Sequence, residues 1–279
     1  MLDGDIVCLQ EVGVKYEPVL ARELEKKGYK GEYCQHVGQG DGEGDATFYK
    51  ANKFECLEVE KFTFNEMLKE AVEKVGIKKV VLEKCMKDET LLILKLKHIE
   101  TGSILTIGNI HAVWEHFTQL DVSCLHAALS LLKMSRCAGG NPFILAGDFN
   151  SGPDMAPYHL LQTGELSDSD KEKLVTEASV KMGDKSLFEL LESFYLHTVV
   201  DLTSSYQAVM GREPSLTIHN NYDGQCLLNI CLDYIWFTAS MLDVVSVIET
   251  TSPAELLPNQ VFPSDHLSLK ASYKFKSLN

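Results

Sequence analysis

Five short stretches place acid, amide or imidazole groups directly against apolar runs. Glu11 follows "DIVCLQ", Asn109 and His111 close "ILTIGNIH", Asp148 and Asn150 close "FILAGDFN", Asp233 interrupts "CLDYIWF", and Asp265 and His266 open "DHLSL". An ordinary structural hydrogen bond can satisfy any one of these groups. Together they supply several carboxylates, two imidazoles and two carboxamides at strand ends, where ligand sites of sheet proteins gather. An oxygen-rich set with few nitrogens suits Mg²⁺, or Mn²⁺, and argues against a zinc cage. Asp233 stands in an apolar strand, and a buried carboxylate requires a partner. His266 is the candidate: an aspartate that holds and charges a histidine makes it a fixed donor toward a phosphoryl oxygen. In "GDFN", strand alternation predicts Asp148 and Asn150 on one side and Phe149 on the other.

Periodicity outlines the elements that must position these groups. "DIVCL", "GEYCQ", "ATFYK" and "FECLEVEKFTF" read as strands, and "YEPVLARELEKKG" as a helix stopped by Gly28. "LLILKLKHI" and "ILTIGNIHAVW" form a strand pair joined by the turn Glu100–Ser103. "QLDVSCLHAALSLLKMS", "DMAPYHLLQTG" and "KSLFELLESFYL" read as helices, "PFILAGDFN" as a strand, and residues 64–88 as one or two helices. "CLDYIWFT", "LDVVSVIET" and "HLSLKASYKF" close the chain as strands, after a polar, irregular stretch over 199–228. The glycine-rich "HVGQGDGEGD", His36–Asp45, lacks the lysine and the strand–helix frame of a phosphate loop and reads as a surface loop. Short turns between some strands and helices between others predict an α/β fold: mixed sheets with helices outside, in one unit.

Composition narrows the partners. The 279 residues carry a formal net charge of −14, with 45% hydrophobic and 24% charged residues. Proteins that hold nucleic acid through phosphate neutralisation are basic. An acidic chain can still act on phosphates when a divalent cation supplies the positive charge. Eight cysteines without a CxxC pair, and no basic-then-apolar leader, point to reduced thiols in an intracellular, cytoplasmic protein, with nucleus or mitochondrion as alternatives. No uncharged apolar run reaches the ~20 residues that span a bilayer.

In this order, "LQEV", "NIH", "GDFNS", "LDYIW" and "PSDH" resemble the endonuclease/exonuclease/phosphatase superfamily of Mg²⁺-dependent phosphoester hydrolases. "GYKGEYCQ", "GDATFYKANKF", "NIHAVW" and "LTSSY" look like the branch of carbon catabolite repressor type deadenylases, Angel proteins and 2',5'-phosphodiesterases. The resemblance implies a DNase I-like, four-layer α/β sandwich of two mixed β-sheets with outer helices, as a single catalytic domain over residues 1–279. Relatives of this type begin with a further strand bearing an asparagine near the metal. Only four residues precede "DIVCL", so that strand is expected to be missing here.

The same resemblance implies site roles. Glu11 binds Mg²⁺ directly, with Asp265 as a second or water-mediated ligand. Asp148 orients or deprotonates the attacking water, and Asn150 holds a nonbridging oxygen. His266, braced by Asp233, stabilises the phosphoryl group. His111 contacts the same phosphate or helps the leaving group, supported by Asn109. From the residues themselves, Trp114 is a candidate substrate wall, and Tyr206 and Asn220 in the irregular stretch are candidates for holding a terminal base. The expected substrate is the 3' end of poly(A) or oligoadenylate RNA, with an mRNA-decay complex as a possible partner and nothing specific to DNA or membranes. The segment "EHFTQLDVSCLH" after "NIHAVW" carries no Lys or Arg where deadenylase relatives often place one, and His126 stands where they have glutamine. The alternatives are a 2',5'-oligoadenylate phosphodiesterase or RNA-end (cyclic) phosphatase, and an inactive binding protein that keeps the fold.

Overall fold

The computed structural model describes residues 3–36, 42–73, 82–83, 85–114, 117–177, 186–198, 201–222, 226–251, 253 and 255–276. The described strands are β1 Ile6–Gly13, β2 Tyr29–Gln35, β3 Glu43–Lys50, β4 Phe54–Thr63, β5 Thr90–His98, β6 Ile104–His111, β7 Phe143–Asp148, β8 Leu202–Ser204, β9 Ile218–Tyr222, β10 Cys226–Ile230, β11 Asp233–Thr238, β12 Leu242–Val247 and β13 Ala271–Phe275. The α-helices are α1 Glu17–Glu25, α2 Phe64–Val72, α3 Leu120–Ala138, α4 Ala156–Thr163, α5 Asp168–Glu177, α6 Ser186–Ser193 and α7 Ser205–Met210.

A six-stranded sheet in the order β4-β5-β6-β7-β11-β8 is the central layer. It is mixed: β6 and β7 run parallel, and the other pairs are antiparallel. Both faces of its middle strands are covered, so their residues are apolar in runs rather than in alternation. One face packs on α2, α3, α4 and α6 through Phe64, Met67, Leu125, Leu129, Leu160 and Leu190. The other face, with Leu92, Leu94, Ile107, Ile144 and Phe237, meets a second β layer. That layer comprises the antiparallel sheet β1-β3-β2 and the separate pair β12-β13. Helix α1 closes the outside with Leu20, Ala21 and Leu24 against Val7, Leu9 and Phe48. The four layers are those expected; within them, the second β layer is wholly antiparallel and in two pieces.

The stretch read as irregular holds β8, α7 and the β9–β10 hairpin, with residues 199–200 and 223–225 outside the described part. Conversely, only the second half of "HLSLKASYKF" is a strand, because His266 instead makes an isolated bridge to Ile218. Helix α5 has too little apolar content to announce itself in sequence. Of the glycine-rich stretch, residues 37–41 lie outside the described part, and its two ends are buried: His36 is 3% and Asp45 0% exposed.

One polar residue ties the two β layers together. Asn109 on β6 is fully buried; its Nδ2 donates to Leu9 O of β1 and Ala46 O of β3, both at 3.0 Å, and its Oδ1 accepts from Gln10 Nε2 at 2.6 Å. Removing one member of such a buried set leaves the others desolvated and unpaired. We expect Asn109→Leu to lower the unfolding free energy by about 3 kcal/mol in urea titration. A loss below ~0.5 kcal/mol, the level of an ordinary surface change, would show that the clamp is not structural.

Candidate active site

Two registers assemble the centre of the site. Across the parallel pair β6–β7, His111 stands beside Asp148; across the antiparallel pair β7–β11, Asp233 stands opposite Asp148. Three of the expected residues are thus adjacent at one end of the central sheet. Gly147, with φ +146°, makes the approach possible, since a Cβ there would lie 1.9 Å from Ile110 O.

Strand β7 stops at Asp148, so pleat alternation does not orient Asn150 as the sequence predicts. Asn150 instead takes a left-handed conformation, φ +47°, in which its N–H donates to Asp148 Oδ1 at 2.7 Å and its Nδ2 to Ala112 O at 2.7 Å. A short polar turn thus ties the Asn150 backbone to the Asp148 carboxylate and its side chain to the segment after β6. The other carboxylate oxygen, Asp148 Oδ2, lies 3.7 Å from His266 Nε2 and 3.9 Å from His111 Nε2.

Glu11 arrives on a β-bulge. The β1–β3 register shifts between Leu9 and Val12, and Glu11 has φ +55°. Such a bulge re-aims a side chain that regular pairing would send elsewhere. Glu11 Oε1 lies 3.5 Å from His111 Nε2. The β9–β10 hairpin holds the remaining segment. Asn220 Nδ2 donates to Asp265 Oδ2 at 3.1 Å, His219 N–H to Asp265 O at 3.3 Å, and Leu267 N–H to Thr217 O at 2.6 Å. His266 Nδ1 then meets Asp233 Oδ2 at 2.7 Å. Thr217 is a supporting residue absent from the sequence reading: its Oγ1 accepts the N–H groups of Leu232 and Asp233 at 2.9 and 3.1 Å. Its signal was hidden in the stretch that read as irregular.

The electrostatics follow from crowding. Burial, and then the charge of Asp233, raises Asp148 well above the usual carboxylate range. Burial, and then Asp265, raises Glu11. Burial lowers His111. Burial alone would lower His266 too, but the charge and hydrogen bond of Asp233 and the charge of Asp148 outweigh it and lift it to about 10. Ligand atoms of Asp148, Asp233 and His266 lie within 4.8 Å of one another. Because Asp233 and His266 are bonded to each other, the set reads better as a hydrogen-bonded triad than as a metal cage. Crowded carboxylates that resist ionisation are what a divalent cation relieves, and Glu11, with its side chain 58% exposed, is open to one.

Residues 1–266 match the Endonuclease/Exonuclease/phosphatase family. The chain belongs to this family. Among curated relatives, mouse (Mus musculus) 2',5'-phosphodiesterase 12 is 29% identical over 98% of this chain and 44% of its own length. The CCR4-Not complex 3'-5'-exoribonuclease subunit Ccr4 of Aspergillus niger is 26% identical over 98% of this chain and 45% of its own length. The chain therefore spans a little under half of these relatives. The same fold appears in ANGEL2, a 2',3'-cyclic phosphatase solved with adenosine-2',3'-vanadate (TM-score 0.71, 22% identity, 97% of this chain and 82% of that one). It appears also in the human Nocturnin catalytic domain with bound sulfate (TM-score 0.65, 20% identity, 98% of this chain and 81% of that one).

Not every residue expected from the sequence reaches the site. Asn109 cannot bind substrate, because it is fully buried and its amide is spent on the interlayer clamp. Tyr206 cannot stack on a base: it is 0% exposed and its hydroxyl donates to Ile248 O at 2.6 Å. Asn220 is half-buried and directs its amide to Asp265. Trp114 is half-buried, edge-on to Phe117 at 4.9 Å, in a cluster with Ile218 and Leu232 of the hairpin region. His126 is a core residue: Nδ1 accepts Val113 N–H at 3.3 Å, the ring stacks on Phe64 at 3.8 Å, and burial holds its pKa down to about 3.

The Asp233–His266 pair has a pH signature. The folded state holds the His266 proton to about pH 10 against an ordinary 6.5. A raised pKa contributes stability that is complete below the unfolded value and disappears as pH rises through the folded one. Without added divalent ions, stability from urea unfolding should therefore fall between pH 6.5 and about 10 more steeply in the native protein than in Asp233→Asn. Equal slopes would refute the pairing.

Proposed function

We propose that residues 1–279 form a single Mg²⁺-dependent phosphodiesterase domain, acting as a 3' exoribonuclease of deadenylase type on poly(A) or oligoadenylate ends. The observation that supports this most is Asp148 between two imidazoles, one of them charged by its own aspartate. Glu11 and Asp265 would hold the cation, with Mn²⁺ as a substitute. When bound, the cation supplies Lewis-acid stabilisation of phosphoryl charge, worth several kcal/mol. Asp148, backed by the Asn150 N–H, orients and deprotonates the attacking water. His266 donates from Nε2 to the phosphoryl oxygen, while Asp233 fixes its ring through Nδ1. Asn150 has a second amide hydrogen beyond the one given to Ala112 O, available to a nonbridging oxygen. Trp114 forms the substrate wall, and Asn220 acts through Asp265.

Among the described residues, β1 pairs only with β3 and β13 only with β12, while both pack on the core that includes Ile144 and Phe237.

The identity to a 2',5'-phosphodiesterase favours 2',5'-oligoadenylate as the second reading, with an RNA-end (cyclic) phosphatase beside it. The third is an inactive binding protein of an mRNA-decay complex. We place the protein inside the cell, in the cytoplasm. No described helix is long and apolar enough to cross a membrane.

The test is hydrolysis of 3'-5' and 2'-5' oligoadenylate side by side with Mg²⁺. Activity should vanish on chelation by EDTA. Asp148→Ala should lower kcat on the order of 10³-fold, as loss of a general base does. Equal turnover by Asp148→Ala would reject the mechanism; Mg²⁺ binding without turnover of any phosphoester would favour the binding protein.

A further inference from the structure

The proposed reaction uses one side of His111. Its Nε2 faces Glu11 and Asp148 at 3.5 and 3.9 Å. The other ring nitrogen, Nδ1, is buried and has no hydrogen-bond partner among the described residues. Against this ring lies a polar group with no part in the chemistry so far. The His36 ring, from the end of the β2 segment, sits 5.9 Å from the His111 ring, tilted by 32°. Asp45 of β3 is 0% exposed. Its Oδ2 accepts from Thr90 Oγ1 at 3.2 Å and lies 3.4 Å from His36 Nε2. Its Oδ1 is buried and, like His111 Nδ1, unpartnered among the described residues.

Two buried polar atoms are thus left over on either side of His36: a carboxylate oxygen, which only accepts, and a ring nitrogen, which donates in one of its two tautomers. Burial opposes charge on His36, but the hydrogen bond and charge of Asp45 outweigh it and raise the imidazole above its ordinary value. Of the charged neighbours of His111, Asp45 acts on it most strongly. The partner on one ring nitrogen decides what the other offers to a reaction. Across the site, His266 has the same plan: Asp233 behind Nδ1 at 2.7 Å, and Nε2 toward Asp148 at 3.7 Å.

We propose that Asp45, held by Thr90 and His36, is a positioning residue for His111: its free carboxylate oxygen accepts the Nδ1–H hydrogen bond through one buried water, so that Nε2 faces the site as an acceptor. The two histidines then flank Asp148 in complementary roles. His266 donates to the phosphoryl group, and His111 accepts a hydrogen bond from the attacking water beside Asp148. The proposal rests on the phosphodiesterase reading for the reaction, but not for the state of the ring.

The test has two arms. In ¹⁵N-histidine-labelled native protein, NMR should find His111 as the Nδ1–H tautomer, its signals identified by their loss in His111→Gln. Asp45→Asn should shift it toward Nε2–H. With Mg²⁺ and 3'-5' oligoadenylate, Asp45→Asn should lower kcat on the order of 10²-fold, and His36→Gln by about 10-fold, the range for partners that orient a working histidine. KM should stay within about twofold, because the ring acts on the reacting atoms rather than on uniform binding. An Nε2–H tautomer in the native protein, or native kcat in Asp45→Asn, overturns the proposal. Should Asp45→Asn fail to fold, the native spectrum still decides. Should the native protein cleave neither linkage, the phosphodiesterase reading fails while the tautomer result stands on its own.

Discussion

The site depends on one unfavourable pairing. The β7–β11 register sets Asp148 directly opposite Asp233, and like charges so placed destabilise a ladder. The strands tolerate it because His266 sits between them, 2.7 Å from one carboxylate and 3.7 Å from the other. The imidazole keeps its proton because two acids surround it, and its charge offsets part of what burial costs Asp148. A chain with net charge −14 brings no general positive field to a phosphate. Its positive charge at the reaction centre is local, held in a ring whose proton the fold has made hard to remove.

Such a cluster needs a rigid mount. Strands β6, β7 and β11 are interior strands with covered faces, so the His111, Asp148 and Asp233 backbones cannot drift apart without opening a packed sheet. Glu11 and Asp265 come from outside that sheet and are delivered by separate devices. A bulge with a left-handed residue turns Glu11 inward, and the β9–β10 hairpin holds Asp265 through Asn220 and Leu267 through Thr217. Left-handed Glu11 and Asn150 each cost of order 1 kcal/mol or more. Both stand at the site, as expected where surrounding structure over-determines a functional position. The Asn109 clamp links the layer that carries Glu11 to the layer that carries Asp148.

The strand-end chemistry was legible in the primary structure because each group follows a run that must be buried, and burial makes a polar residue conspicuous. The β5–β6 hairpin, α3 and the strand before Asp148 were legible for the same reason. The β9–β10 hairpin was not. It is polar and short, and its order comes from bonds to Asp265, Leu232 and Asp233 rather than from periodicity. Asn109 and Tyr206 misled because an amide or a phenol in sequence says nothing about which side of a sheet it meets. The first is spent on backbone carbonyls between layers, the second on Ile248 O in the core.

By itself, then, the order of residues determined which groups are available and that they lie at strand ends, since both are local properties of type and spacing. Tertiary structure decided which of them meet. The parallel β6–β7 and antiparallel β7–β11 registers bring residues 37 and 85 positions from Asp148 to its two sides, a choice that no local pattern encodes. It also decided Asn150, which reaches Asp148 by a left-handed turn where alternation had predicted a pleat. Most of all, it decided the inner face of His111. The ends of a glycine-rich stretch that reads as surface loop are folded into the interior as His36 and Asp45, because two β layers closing on each other exclude water from whatever lies between them.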